Sequence, residues 1–290
     1  MNDYIYNLNI AKDNKTYNYS TNCKEPHGLS FDIIYDMTAA NVRGNISLQA
    51  IDLSVFNNLV MVHNVKTYFP ISLSVGYQNN YGCIFNGLCV ESKKNVNSRF
   101  TLDFTLIGAD INTPYVKITA KKGTRRYNIK KIFAEALNLR LNSNLLSDNN
   151  IIDKNYYYCG NNGVAELRRF FYDENVTIYN NSLFFTKKLQ YKQDNIINNV
   201  EAYLLEDKMI EQDFITIGLM EYEAVFPLMP QLQPGHYVLI KQSDPVNSCY
   251  NGTYLIQSVN HSGTIDYRTM CSGTTRCILK NDNTSLLYRS

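Results

Sequence analysis

Apolar and polar residues alternate through much of the first hundred positions. Phe31, Ile33 and Tyr35 share one face of a strand, as do Ile46, Leu48 and Ala50 and, further on, Ile71, Leu73 and Val75. A period of two marks strands buried on one side only. In the run from Phe100 to Leu106, Phe100, Leu102, Phe104 and Leu106 point to a core while Thr101, Asp103 and Thr105 point outward. Turn-forming clusters at Pro26-His27-Gly28, Arg43-Gly44-Asn45 and Gln78-Asn79-Asn80-Tyr81-Gly82 separate these runs at spacings that suit an antiparallel barrel or sandwich. Residues 1–108 are expected to form a first β domain.

The period then changes. Ile129, Ile132, Phe133, Ala136 and Leu137 follow the i, i+3, i+4, i+7 rule and predict an amphipathic helix of about three turns. A second short helix is expected over Val164–Phe171. After it, Val176 to Tyr179, the turn pair Asn180-Asn181 and Leu183 to Phe185 read as a hairpin. The polar stretch from Gln190 to Asn199 reads as a linker, so residues 109–199 are expected to be a small α/β insert. From 200 to 290 the chain turns β again. Ala224 to Phe226 is stopped by Pro227 and Pro230, Pro234-Gly235 makes a turn before His236 to Ile240, and Asn251-Gly252 precedes Tyr254 to Ile256. The expected fold class is therefore mainly β, with two antiparallel β-barrel domains flanking a helix-containing middle region.

Composition narrows the function classes. Hydrophobic residues at 44% and charged residues at 19% place the chain among globular proteins. No apolar run approaches the roughly 18 residues of a membrane span, and Met1-Asn2-Asp3-Tyr4 opens without a charged or apolar leader, so synthesis in the cytosol without membrane insertion is expected. Lys+Arg of 28 against Asp+Glu of 26 is too balanced for a protein that neutralises many phosphates. With Tyr at 23 and Trp at 0 the aromatic content favours half-buried pleated surfaces. Seven cysteines with no C-x-x-C and no clustered His predict free, mostly buried thiols and no metal site.

The motifs that carry chemistry are missing. There is no phosphate-binding G-x-x-x-x-G-K-[ST], no H-E-x-x-H and no G-x-S-x-G, and Gly160-Asn-Asn-Gly163 reads as a loop before a helix. Asp173-Glu174, Glu206-Asp207 and Glu221-x-Glu223 read as charged loop positions, although a carboxylate pair could serve glycoside hydrolysis. His27 and His236 lie at turns, and His261 is expected at a hairpin end. Lys121-Lys122-Gly123-Thr124-Arg125-Arg126 reads as a solvated loop entering a helix, or as a contact to an acidic protein neighbour. No enzyme, cofactor or metal is expected, and a chain that works by presenting surfaces is favoured.

Patches in order along the chain carry a resemblance. Ile71-Ser-Leu-Ser-Val-Gly76-Tyr77 followed by Ile84-Phe85-Asn86-Gly87 resembles the first domain of the baseplate hub proteins of tailed bacteriophages. Phe226-Pro-Leu-Met-Pro230-Gln-Leu-Gln-Pro234-Gly235, then Asn251-Gly252-x-Tyr254-x-Ile256 and Val259-x-His261-Ser262-Gly263, is similar to the closing barrel of that family. Gly76 and Gly87 are expected at a strand end and at a bulge or close backbone approach. The segment from Tyr4 to Ser20 falls outside the resemblance.

The resemblance implies two tube-like β-barrels per subunit and a homotrimeric ring. Such a ring would match a hexameric tail tube or distal tail protein on one side and a trimeric central spike on the other, next to a tape-measure protein, with DNA only in transit through the lumen. The location implied is the virion tail baseplate, assembled in the host cytoplasm. Alternatives are the hub or spike core of a bacterial contractile injection system, a receptor- or glycan-binding tail protein, and a cell-wall hydrolase using Glu221 or Glu223.

Overall fold

The computed structural model describes residues 4–21, 27–37, 42–49, 51–60, 68–77, 80–96, 100–108, 115–142, 149–188, 191–192, 195–196, 202–206, 210, 212–245, 247–266 and 271–281. The chain opens with a hairpin of β1 (Tyr4–Lys12) and β2 (Lys15–Ser20), which turns on Asp13 and Asn14 at φ of 51° and 60°. Next come β3 (Leu29–Asp36), β4 (Arg43–Gln49), a short helix α1 (Leu53–Leu59), β5 (Phe69–Tyr77), β6 (Asn80–Val96) and β7 (Phe100–Ile107). The middle region holds β8 (Val116–Ala120), α2 (Arg126–Ala136), β9 (Arg140–Leu141), β10 (Tyr156–Gly160), α3 (Gly163–Phe170), β11 (Glu174–Tyr179) and β12 (Ser182–Lys187). A two-residue ladder of β13 (Tyr191–Lys192) with β14 (Asn195–Ile196) follows. Then come β15 (Ala202–Glu206), β16 (Gln212–Gly218), β17 (Glu221–Pro227), β18 (Tyr237–Lys241), a 3₁₀ turn at Asn247–Tyr250, β19 (Gly252–Ile265) and β20 (Cys271–Lys280).

The protein is mainly β, with antiparallel sheets and three helices among the described residues. Thirteen strands belong to a single sheet in the order β16-β17-β20-β19-β3-β4-β7-β6-β5-β1-β2, with β18 on β19 and β15 on β18. Strands from both ends of the chain are thus hydrogen-bonded to one another. The joining element is β19, which is 14 residues long. One of its edges pairs with β20; the other pairs with β18 through Gly252 to Leu255 and then with β3 through Ser258 to Ile265.

Buried apolar side chains form three clusters. The first is built on β1 to β7 and takes in Tyr179, Leu228 and Ile265 from elsewhere; the second spans residues 116–185; the third spans residues 205–279. The domain boundaries expected at 108/109 and 199/200 touch residues 109, 199 and 200, which lie outside those described. The alternation of β3 and β5 is seen directly, with Phe31, Ile33, Tyr35, Ile71, Leu73 and Val75 all buried. Ala50 lies outside the described residues, as do Pro26, Gln78 and Asn79.

In the middle region α2 and α3 occupy the expected positions. The α2 face of Ile129 and Phe133 is buried, with Leu137 just past its end. Lys130 is buried too, and its Nζ reaches Glu174 Oε2 at 2.7 Å while lying 4.6 Å from the Phe185 ring centroid. Arg126 joins the same cluster through Asp173 at 2.7 Å and Glu174 at 2.8 Å. A buried charge needs its counter-charge, so this cluster locks α2 to the start of β11. Gly160-Asn-Asn-Gly163 is indeed a helix entrance, because Asn162 caps α3 by accepting from the Ala165 amide at 3.2 Å. Asn180 and Asn181 take φ of 48° and 59° and turn the β11–β12 hairpin.

Local expectations are corrected at Arg43-Gly44-Asn45 and at His261. Arg43-Gly44-Asn45 is not a turn but the first three residues of β4, because the pairing of Gly44 with Ile33 and Leu106 continues the ladder on both sides. His261 is not at a hairpin end but sits within β19, opposite Ile33 and Thr275. Tyr4 to Ser20 is a core hairpin, whose Tyr6, Leu8 and Ile10 are fully buried.

Leu102 and Phe104 on β7 are 0% and 1% exposed, and Phe104 meets Phe69 edge-on at 6.4 Å. Truncating either to Ala is expected to cost about 2–5 kcal/mol, read as a lowered denaturant midpoint at unchanged slope.

Candidate functional site

Strands from the two ends of the chain meet along β19. At the centre of that junction is His261, fully buried on β19, between the first cluster and the third. Thr275 Oγ1 accepts the Met229 amide at 2.8 Å and lies 3.1 Å from His261 Nδ1. The Thr275 hydroxyl and His261 Nδ1 share this hydrogen bond, whose direction is set by the ring tautomer. Burial outweighs the neighbouring Leu232 carbonyl and holds the ring's pKa down to about 3, so it is neutral at ordinary pH.

Met229 and Leu232 belong to the β17–β18 connection, which also contains Pro230, Pro234 and Gly235. The connection works as a wedge. Leu228 enters the first cluster while Met229 and Leu232 enter the third. The Leu228 amide donates to Gly273 O at 3.1 Å, and its carbonyl accepts from Asn80 Nδ2 at 3.2 Å. Pro230 is buried at the start of β6, where a Cβ on Gly82 would come within 3.1 Å of its ring. Gly235, at φ of 83°, gives its amide to Ile256 O at 2.8 Å and accepts at its carbonyl from Thr186 Oγ1 at 2.6 Å. The middle region also docks on the first cluster at its hairpin turn, where Asn180 Oδ1 accepts from Tyr35 at 2.7 Å and Asn180 Nδ2 donates to Cys83 O at 3.1 Å.

The remaining residues singled out in the sequence divide into two groups. Gly76, Tyr77, Phe85 and Gly87 lie on the β5–β6 pair, with Phe85 fully buried opposite Leu73 and Gly87 opposite Ile71. Gly76, at φ of 147°, faces Tyr81 so closely that a Cβ would lie 1.9 Å from Asn80 O. At Gly87 a Cβ would lie 2.5 Å from Ile107 O, so no side chain fits unless β7 moves. Tyr77 meets the Tyr4 hydroxyl at 2.5 Å, and Tyr4 reaches Gly273 O on β20 at 3.4 Å. Asn251 and Gly252 belong instead to the β18–β19 turn. There Asn251 closes a loop of its own, accepting from the Gln242 amide at 2.6 Å and donating to Gln242 O at 3.0 Å. Pro230, Gly235 and His261 thus come together at the junction, near the start of β6, and the Asn251-Gly252 pair does not join them.

The side of the fused sheet away from the core has a character that the motif search did not single out. Cross-strand register aligns Thr105, Asn45, Asp32, Ser262 and Thr274 in one row over β7, β4, β3, β19 and β20, and Asp103, Ser47, Ser30, Thr264 and Ser272 in the next. None of these ten side chains is a cation, an aromatic ring or a large aliphatic. Ser47 Oγ donates to Asp103 Oδ1, and the Ser262 and Thr274 hydroxyls lie 3.3 Å apart. Where β4, β3 and β19 meet, the two rows line a shallow depression. In sequence the signal was the small polar residues between the buried ones; only the register shows that they form one surface.

Ile34 is exposed in the row beside these two, and other large exposed apolar side chains lie elsewhere: Leu204 is on β15, Ile215 and Ile217 are on β16, Leu219 follows β16, Tyr115 precedes β8 and Tyr157 is on β10. Four of the acidic candidates are tied into ion pairs: Glu223 with Arg276 at 3.2 Å, Glu221 with Lys280 at 3.9 Å, and Asp173 and Glu174 with Arg126; Glu206 ends β15, and Asp207 lies outside the described residues. Among the described residues no three His, Cys, Asp or Glu side chains converge as metal ligands.

Two outcomes are expected at the junction. His261 has a folded pKa of about 3 against 6.5 in the open chain, so the unfolded state takes up a proton that the folded state refuses, and stability is lost as pH falls from about 6.5 toward 3. Between pH 7 and pH 4 the denaturant midpoint of the wild type should therefore fall further than that of His261→Gln; equal falls would remove His261 as the cause. Gly87→Val should lower the melting temperature by several degrees in thermal unfolding.

No protein-family model matches the sequence, and no curated protein matches it at the sequence level. Solved structures do match. A tail protein from Neisseria meningitidis superposes with a TM-score of 0.55 at 9% identity, over 96% of this chain and 97% of its own. The 43 kDa tail protein of prophage MuSo2 from Shewanella oneidensis gives 0.54 at 10% identity, over 96% of each chain. An Escherichia coli component of the type VI secretion system, described as structurally similar to the bacteriophage T4 tail proteins gp27 and gp5, gives 0.50 at 11% identity over 95% of this chain and 77% of its own. Over nearly its whole length, this chain has the fold of phage tail proteins and of their type VI secretion counterpart.

Proposed function

We propose that this chain is the structural hub of a phage-type tail baseplate, three copies of which close a ring between a sixfold tail tube and a threefold central spike. The observation that carries the reading is β19, which makes strands from both ends of the chain one continuous wall with two cores behind it. Two sheet-based bodies per subunit, repeated three times, present six similar faces to a hexameric tube while keeping threefold symmetry for a spike. The fold shared with tail proteins supports this reading.

Each contact in such a ring is heterologous and closes when the rotation is about 120°. An obligate interface of this kind buries roughly 2,000 Å² or more, with aliphatic and aromatic anchors. Leu204, Ile215, Ile217, Leu219, Tyr115 and Tyr157 are exposed anchors of that type. The role is non-enzymatic; Glu221 and Glu223 serve to tie β17 to β20. The partners are the tube or distal tail protein, the spike and a tape-measure protein, and DNA passes through without being held. The assembled location is the virion tail.

A second reading, the hub of a bacterial contractile injection machine, is favoured by the similarity to the type VI secretion component. The two differ in cargo, not in the architecture required of this chain.

Light scattering and electron microscopy of the purified protein, alone and with the tube and spike proteins encoded beside it, test the proposal. A mass of three chains and a ring seated on the tube end are expected. A protein that stays monomeric at every concentration and binds neither neighbour would overturn it.

A further inference from the structure

We infer that the cationic ribbon formed by residues 121–126 and 150–155, at the start of α2, is a docking surface for an acidic segment of another protein, one that sets carboxylates beside an apolar side chain. The inference goes beyond the hub reading and does not depend on it, because the surface belongs to the middle region whether or not the chain closes a ring.

Charge is unevenly spread along the chain. Between Val116 and Lys188 stand 13 Lys and Arg against 6 Asp and Glu, which leaves 15 against 20 in the rest of the sequence. Four acids of this region are engaged inside it: Asp173 and Glu174 with Arg126 and Lys130, Glu166 with Arg169, and Glu135 with Lys131. Cations left over collect in one place. Lys121, Lys122, Arg125 and Lys154 are all exposed, and among the described residues none of them is in an ion pair. The backbone beneath them is fixed. The Thr124 amide donates to Lys121 O at 3.0 Å, closing a turn on Gly123 at φ of 86°. From there the ribbon is laced across: the Gly123 amide donates to Ile152 O at 2.9 Å, the Ile152 amide to Thr124 O at 3.0 Å, the Arg126 amide to Asn150 O at 2.7 Å and the Lys122 amide to Asn155 Oδ1 at 2.8 Å. Docking on such a ribbon orders side chains and not backbone, which lowers its entropic cost.

Stability of the chain gives no reason for this arrangement. Helix α2 starts at Arg126 with Arg125 at its N-cap, no side chain capping it and no acidic residue in its first turn. The N-terminal end of a helix carries partial positive charge, which anions relieve and cations aggravate. A local cost without an internal partner is expected where a surface serves something outside the chain. The chemistry favours a protein over a nucleic acid. Ile151 is 65% exposed and bridges to Arg125 across the ribbon, with Asp153 between it and Lys154 in the chain. A phosphate backbone gains nothing from Ile151, is repelled by Asp153, and finds no aromatic ring in the ribbon on which to stack a base. A carboxylate-bearing segment with one apolar residue uses both the cations and Ile151. A second copy of this chain is a poor match, because its sequence holds no acidic run longer than two residues and Asp173, Glu174, Glu221 and Glu223 are already paired.

The probe is a fluorescein-labelled peptide of alternating Glu and Asp around one central Leu, titrated with the full-length protein by fluorescence anisotropy at about 50 and 200 mM salt. Lys121→Glu/Lys122→Glu is compared with Arg140→Glu/Lys187→Glu, an equal change of charge at exposed positions on β9 and β12. The ribbon variant should bind the probe at least tenfold more weakly than wild type, while the control keeps most of the affinity. Ile151→Ser should weaken binding several-fold at both salt concentrations. Arg125→Asp, which supplies the missing N-cap acid, should raise the melting temperature and yet weaken the probe, a split that a purely structural role would not produce. Equal losses in the ribbon and control variants, or an Arg125→Asp protein that melts higher and binds unchanged, would overturn the inference. So would tighter binding of single-stranded DNA than of the peptide at the same salt, which would assign the ribbon to phosphates, or a mass in light scattering that falls only in the ribbon variant, which would assign it to a second copy.

Discussion

The backbone ladder between β3 and β19 is the constraint on which the rest depends. Eight register pairs, from Ser258–Asp36 to Ile265–Leu29, join two segments more than 200 residues apart in the chain. A strand of ordinary length would satisfy one set of partners or the other. At 14 residues β19 serves both, turning one edge first to β18 and then to β3 while β20 follows it on the opposite side. Unpaired backbone groups inside a protein cost several kcal/mol each, so once β19 is committed to both partners the two ends of the chain cannot separate without exposing a row of them.

Everything at the junction is arranged to keep that ladder dry and in register. The β17–β18 wedge sends Leu228 into one core and Met229 and Leu232 into the other, and its backbone is held by Thr275, Gly273 and Asn80. His261 is held there as a neutral ring, because burial penalises its charged form. The middle region adds a third support, with Asn180 clamped by Tyr35 and Cys83 on one side and Thr186 bonded to Gly235 on the other. The β11–β12 hairpin therefore braces the junction, and the buried Lys130–Glu174 pair ties α2 to it.

Under the proposed hub reading, rigidity of this kind is what the role requires. A ring that must present one symmetry upward and another downward gains nothing from loose domains, since each degree of freedom would blur both faces. Surface chemistry is divided along the chain: the two rows over β7, β4, β3, β19 and β20 carry small polar groups, with Ile34 exposed beside them, while Leu204, Ile215 and Ile217 lie on β15 and β16 and Tyr115 and Tyr157 on the middle region.

The alternation at Phe31 to Tyr35 and Ile71 to Val75, the helical period around Ile129 and the Asn180-Asn181 turn were legible from the sequence alone, because each is decided by residues within a few positions of one another. The same local signal was present in Tyr6, Leu8 and Ile10, ahead of the Asp13-Asn14 turn, and could have identified the first hairpin. Arg43-Gly44-Asn45 misled because Gly and Asn are turn formers by local preference, and only two flanking strands could hold them extended. His261 looked like a strand end for the same reason. That β19 pairs with strands from both ends of the chain in one sheet, that Pro230 lies against the start of β6, and that ten scattered Ser, Thr, Asn and Asp residues form one surface was decided by tertiary structure. Long-range pairing has no period for a sequence to display, because the free energy that selects it comes from backbone groups and buried area that exist only once distant strands have met.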